Sequence, residues 1–217
     1  MEVIREINVP VTTHGRVLVA ETRKAGPLRL LAGFHGYAQN ADDMMTMLRD
    51  IPEAGNWTVM SVQALHRFYR GRSDVTVASW MTRQDRELLI GDNVAYVDAT
   101  LAAVAGGRAI ERLVVCGFSQ GVAMAFRAGL LGARKADAVL ALGGDVPPEL
   151  LGGGARAFPR VLLARGARDE WYTGAKLLAD EAALKAQGAA VEMLSFDGAH
   201  EWHSDFATRA GGFIANL

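Results

Sequence analysis

The sequence predicts an α/β protein with a mostly parallel central sheet, helices on both faces and an antiparallel N-terminal edge. Three observations predict it. Apolar runs with the length of buried strands recur along the chain. Segments with helical spacing of apolar residues separate them. The opening stretch alternates apolar and polar residues, as half-exposed antiparallel strands do.

The elements follow in order. "EVIREINVPV" and "GRVLVAET" are the two alternating segments and the expected antiparallel edge. Strands buried on both faces are expected at 28–34, 57–64, 112–118, 138–144, 160–166 and 191–196. Between them, "NADDMMTMLRDI" reads as a helix with Asn40 at its N-cap and aspartates in its first turn. The longest helical pattern runs from about Gln84 to Ala105, and further helices are expected at 120–131, 171–187 and 201–216. "DVPPELLGGGARAFP" reads as a loop with at most a helical turn at 149–151 and a flexible connection at 152–154. No linker or repeat interrupts the alternation, so residues 1–217 read as a single domain.

Composition narrows the function classes. A formal net charge of −1 offers no general attraction for nucleic acid or an anionic membrane. The charges Glu2, Arg5 and Glu6 interrupt any signal-peptide core, and no long uncharged apolar window predicts integral membrane contact. One cysteine, Cys116, allows no intrachain disulfide. A cytoplasmic location is the expectation.

The chemistry centres on "GFSQG", residues 117–121, where a buried strand meets an apolar helix. In a parallel α/β sheet, ligands gather at the carboxyl ends of strands, and Ser119 falls at such an end. A serine hydroxyl needs a base beside it to act as a nucleophile at neutral pH. The G-x-S-x-G turn exposes that hydroxyl on a strained corner, and its partners follow in the chain order Ser, Asp, His. Asp169 lies just beyond the strand at 160–166 and His200 just beyond the strand at 191–196. The expected roles are Ser119 as nucleophile, His200 as general base and then acid, and Asp169 as the group that orients the imidazole.

Other residues compete for these roles. Asp145 also ends a strand, but Asp169 occupies the loop before the histidine-bearing strand, the usual station of the acid. His203 falls about a turn into the last helix, whereas His200 sits on the loop; Asp197 reads as a turn residue. "HEWH" places its histidines at i and i+3 rather than the i and i+4 of a zinc helix, so no metal is expected. Cys116 reads as a small buried apolar residue. An oxyanion hole needs two donors: the Gln120 N–H at the helix start and the Tyr37 N–H in the loop "HGYAQN". His35 reads as structural within that loop.

"FHGYAQN", "GFSQGVAMA", "RGARDEWY" and "GAHEW", in that order and spacing, resemble the α/β-hydrolase fold, and more narrowly its phospholipase/carboxylesterase family with the acyl-protein thioesterases. The resemblance covers nearly the whole chain. It implies a Ser119–Asp169–His200 triad, oxyanion donors Tyr37 and Gln120, no cofactor and no inserted lid domain. It implies hydrolysis of carboxylic esters, thioesters or lysophospholipids with small to medium acyl groups. "SWMTRQDRELLIGDNVAYVD" also looks family-like and places Trp80 near the substrate. His66, Phe68, Tyr69, Trp171 and Trp202 join it as candidate pocket residues, and Arg67, Arg70 and Arg72 as candidates to meet an anionic substrate. Two departures stand out: Ala38 where the family often has glycine, and the bulky "EWY" after the acid. A homodimer is left open. The alternatives are a binding protein without turnover on this fold, or a triad peptidase or acyltransferase.

Overall fold

The computed structural model describes residues 3–21, 26–152 and 157–217. Its strands are β1 (Arg16–Ala20), β2 (Leu28–Phe34), β3 (Thr58–Gln63), β4 (His66–Tyr69), β5 (Thr76–Ser79), β6 (Ile110–Phe118), β7 (Ala138–Leu142), β8 (Arg160–Gly166) and β9 (Val191–Phe196). Its helices are α1 (Ala41–Arg49), α2 (Arg86–Ala105), α3 (Gln120–Leu131), α4 (Pro148–Leu151), α5 (Gly174–Ala186) and α6 (Ser204–Ala215). A seven-stranded sheet runs in the order β1-β3-β2-β6-β7-β8-β9, with β1 antiparallel to β3 and every other pair parallel.

Period-two alternation sends the strand side chains to two apolar layers. Leu30, Ala32 and Phe34 of β2 pack with α2, α3 and α5 on one face, while Leu31 packs with α1 and α6 on the other. Both faces are therefore covered, which is why these strands read as continuous apolar runs. Helix α1 starts in a capping box: Asn40 Oδ1 accepts the Asp43 N–H at 3.0 Å, and Asp43 Oδ2 accepts the Asn40 N–H at 3.1 Å. A reciprocal cap of this kind stabilises a helix by about 1 kcal/mol. Helix α2 is long and apolar enough by composition to span a bilayer. Here Ile90, Val97, Leu101 and Ala105 face the core.

The structure departs from expectation in several places. The first alternating segment is not a strand; residues 3–15 carry no regular structure, and the antiparallel edge is β1 on β3 instead. Alternation supplies a face but not a partner, and β1 already occupies the outer edge of β3. The stretch after β3 holds an unexpected hairpin, β4–β5, which joins the rest through the Gln39–Ala78 bridge. A 3₁₀ segment at Pro52–Asn56 also escaped expectation. The turn of helix at 149–151 forms as α4, whereas most of the flexible connection at 152–154 lies outside the described residues.

Candidate active site

The carboxyl ends of β2, β6, β7, β8 and β9 share one rim, because these strands are parallel neighbours. The loops that follow carry His35–Gln39, Ser119, Gly143–Asp145, Asp169 and His200 in turn. Ser119 sits on the corner between β6 and α3 with φ 53° and ψ −120°, a left-handed conformation costly for any residue with a Cβ. The corner is held from both sides: the Ser119 N–H donates to Leu142 O at 2.8 Å and Ser119 O accepts the Val122 N–H at 3.0 Å. Close approach explains the flanking glycines. A Cβ on Gly121 would fall 1.9 Å from Phe34 O, and one on Gly117 would fall 2.4 Å from Gly121 O.

Ser119, His200 and Asp169 come together as a continuous hydrogen-bonded chain. His200 Nε2 lies 2.8 Å from Ser119 Oγ, and Nδ1 lies 2.8 Å from Asp169 Oδ2. A carboxylate only accepts, so Nδ1 carries the ring proton and Nε2 accepts the Ser119 hydroxyl proton. Asp169 is 4% exposed, and its Oδ1 accepts the N–H groups of Trp171 and Tyr172 at 2.8 and 2.9 Å. With both oxygens engaged the carboxylate has one orientation, and the imidazole inherits it. His200 also packs at 5.2 Å between centroids on Phe118, which restricts its ring further. This arrangement can draw the proton from Ser119 as its oxygen attacks.

The loop after β2 passes directly beside the serine. A Cβ on Gly36 would lie 3.3 Å from Ser119 Cβ. Among the described residues, neither the Tyr37 N–H nor the Gln120 N–H meets an acceptor, as donors kept for an oxyanion require. His35 braces the loop from beneath: its Nδ1 donates to Gly36 O at 2.7 Å and its Nε2 accepts the Ala64 N–H at 3.1 Å. Burial lowers the His35 pKa, which favours the neutral ring that this pattern needs. Ala38 takes a left-handed φ of 57°, a conformation that glycine adopts without strain.

The Gln120 side chain has a task that sequence reasoning missed. Its Oε1 accepts the Trp80 N–H at 2.9 Å, and its Nε2 donates to Met81 O at 3.1 Å and Ser79 Oγ at 3.1 Å. It thereby fastens the end of β5 to the start of α3. Trp80, 1% exposed, sends Nε1–H to His35 O at 2.9 Å and so ties the same segment to the loop after β2. Its polar surroundings were unreadable from a lone glutamine in a turn.

A cavity of about 290 Å³ opens at Ser119. Of the expected pocket residues, Trp80 and Trp171 line it. The others are placed elsewhere. His66 faces a separate groove beside residues 9–13 and Leu89. Phe68 stacks on the exposed Tyr37 ring at 5.5 Å on the outer hairpin, and Tyr69 is 66% exposed there. Trp202 packs edge-on against Phe206 in the lower core. The hairpin β4–β5 sets Phe68 against Tyr37 of the loop after β2 rather than in the cavity lining, and its Arg67 and Arg70 bond His14 O and Ala38 O. The cations that line the cavity are Arg127 and Lys176. Asp145 lines it too and pairs with Lys176 at 3.0 Å. His203 caps α6 and stacks on Phe196, and Asp197 pairs with Arg168.

No protein-family model matches the chain, and no curated protein matches its sequence. Solved structures do match. Esterase PE8 superposes with a TM-score of 0.74 at 20% identity, over 94% of this chain and 99% of its own. The Bacillus cereus carboxylesterase gives 0.73 at 16% identity, over 93% and 94% respectively. The Zea mays acyl-protein thioesterase 2 gives 0.71 at 18% identity, over 94% and 99%. The parallel sheet with one antiparallel edge strand, flanked by helices and matched end to end by these structures, is the α/β-hydrolase fold.

Proposed function

We propose that this protein is a serine hydrolase of carboxylic esters or thioesters with small to medium acyl groups. The observation that carries the reading is the unbroken chain from Ser119 Oγ through His200 to Asp169, mounted on a strained corner at the mouth of a cavity. The esterase and thioesterase folds that superpose on the chain support the same class of reaction.

The reaction divides into two displacements. Ser119 Oγ attacks the acyl carbon while its proton passes to His200 Nε2, and the carbonyl oxygen becomes an oxyanion facing the N–H groups of Tyr37 and Gln120. Asp169 stabilises the imidazolium by accepting from Nδ1. The oxyanion then collapses, Nε2–H protonates the leaving alcohol or thiol, and an acyl-Ser119 ester remains. Water enters, gives its proton to Nε2 and attacks the acyl carbon. Collapse returns the proton to Ser119 Oγ and releases the acid. One water is consumed, and no other reagent is required.

Purified protein is expected to hydrolyse 4-nitrophenyl acetate or butyrate, and a fluorophosphonate probe is expected to label Ser119 by peptide mass mapping. Ser119→Ala should lower turnover by at least about a thousandfold. Folded protein that neither cleaves an ester and thioester panel nor reacts with the probe overturns the reading. Tight binding of such compounds without turnover would return the chain to the class of binding proteins.

A further inference from the structure

Helix α3 is apolar along its buried length except at Arg127, two turns beyond Ser119. Arg127 is 3% exposed and lines the cavity at the serine. Eight residues of helix correspond to a rise of about 12 Å. Side chains tilt toward the helix N-terminus, so the long Arg127 side chain leans back toward Ser119. Its guanidinium is only partly matched. Nε and Nη2 both meet the same Glu149 Oε1 at 2.8 Å, and the other carboxylate oxygen, Oε2, goes to Arg86 at 2.8 Å. Among the described residues, Nη1 meets just the thioether sulfur of Met81, at 3.4 Å. Sulfur is a weak acceptor for a charged donor, and burial works against the charge. Arg86 is paired with Glu87 as well, at 2.8 Å, so the unmet part of this cluster is Arg127 Nη1 itself, a charged donor whose acceptor among the described residues is sulfur. Lys176 adds a second cation across the lining, though Asp145 offsets it.

Resting on the serine-hydrolase reading above, the geometry points to a substrate that carries a carboxylate a few bonds from the scissile ester, bound by Arg127 Nη1 with Lys176 nearby. An anionic oxygen there would replace the poor sulfur acceptor with a charge-assisted one. A neutral alkyl chain would leave Arg127 as it is and gain nothing from it. Arg127 is accordingly a specificity-determining residue, with no part in the bond changes.

The test compares matched esters. On the acyl side, the 4-nitrophenyl monoester of adipic acid is set against 4-nitrophenyl hexanoate; on the leaving side, 3-acetoxybenzoate is set against phenyl acetate. A hydrogen bond to a charged group is worth about ten- to a hundredfold in binding. The wild-type protein should therefore favour the carboxylate-bearing member of at least one pair by about tenfold in kcat/KM, mainly through KM. Arg127→Met should erase most of that ratio, and added salt should reduce it. Should Arg127→Met fail to fold, Lys176→Gln at a half-exposed position gives a smaller fall in the same ratio.

Equal rates within both pairs for the wild-type protein overturn the proposal. So does an Arg127→Met variant that slows both members equally, because a purely structural ion pair predicts that result. Binding is read separately in the Ser119→Ala protein, by calorimetry with monomethyl adipate against methyl hexanoate. Preference for the anion, lost with Arg127→Met, supports the subsite even if no ester is turned over. Absence of ester cleavage and of probe labelling instead sinks the hydrolase reading, so the two failures remain distinct.

Discussion

The strain at Ser119 has a measurable consequence. Its φ of 53° with ψ of −120° lies where a Cβ crowds the backbone, at a cost of about 1–3 kcal/mol. Replacing Ser119 with alanine removes the hydroxyl and its bond to His200 but keeps the Cβ. Replacing it with glycine removes the hydroxyl and the Cβ together. The difference between the two variants isolates the strain, less the extra backbone entropy of an unfolded glycine, about 0.4–1 kcal/mol. Ser119→Gly should thus be more stable than Ser119→Ala by about 1 kcal/mol. For a chain of 217 residues that is about 2–4 °C in Tm. The sign is unusual, because at an ordinary site glycine is the less stable by about 0.5–1 kcal/mol. Ala102→Gly, on the exposed side of α2, supplies that ordinary comparison and should cost about 1 kcal/mol. Urea unfolding followed by tryptophan fluorescence gives each value. A Ser119→Gly protein equal to or less stable than Ser119→Ala would refute the strain argument and leave the corner as a merely tolerated turn.

Three further expectations rest on separate observations. Gln120→Ala leaves the Trp80 N–H and Met81 O without their partner and should cost about 2–4 kcal/mol in urea unfolding, with slower ester cleavage as the segment loosens. Gly121→Ala should yield little folded protein, since its Cβ would fall 1.9 Å from Phe34 O, whereas Gly212→Ala, an open site on α6, should raise stability by about 0.5–1 kcal/mol. Burial lowers the His35 pKa below 6.5, so below pH 6.5 the unfolded chain binds the extra proton first and stability falls with acidification. His35→Gln should flatten the unfolding free energy against pH just below about 6.5, by up to about 1.4 kcal/mol per unit, in parallel denaturant titrations.

What could be read from the sequence follows from what each residue touches. Parallel strands buried on both faces must be apolar throughout, so β2, β3, β6, β7 and β8 appear as runs. Strand β9 lies within the expected range too, but as the sheet's outer strand it is only partly buried rather than covered on both faces. Their ends in turn locate Ser119, Asp169 and His200 on one rim. The first segment misled because alternation reports a face and not a partner strand. The hairpin β4–β5 was missed because its strands have four residues each, and β4 is largely exposed, so little periodicity accumulates. Phe68 and Tyr69 were expected in the pocket because the stretch after the strand at 57–64 opens on the active rim; the hairpin instead sets Phe68 against Tyr37 and leaves Tyr69 exposed. Arg127 left a signal that was available: a single charge in an otherwise apolar helix must find partners in the interior.

The conformation of the site is also distributed over the fold rather than stored at one turn. Two non-glycine residues with left-handed φ flank the cleft, Ser119 at 53° and Ala38 at 57°. Neither is held by its own loop alone. Ser119 is fixed by Leu142 at the end of β7, while the Ala38 N–H donates to Ala78 O of β5 at 3.1 Å and its carbonyl accepts from Arg70 at 2.9 Å. Gln120 then links β5 back to α3 through Trp80. A closed circuit of backbone and side-chain bonds therefore joins the two strained residues, with the Tyr37 and Gln120 N–H groups between them. The strain persists because the sheet and the hairpin together impose it.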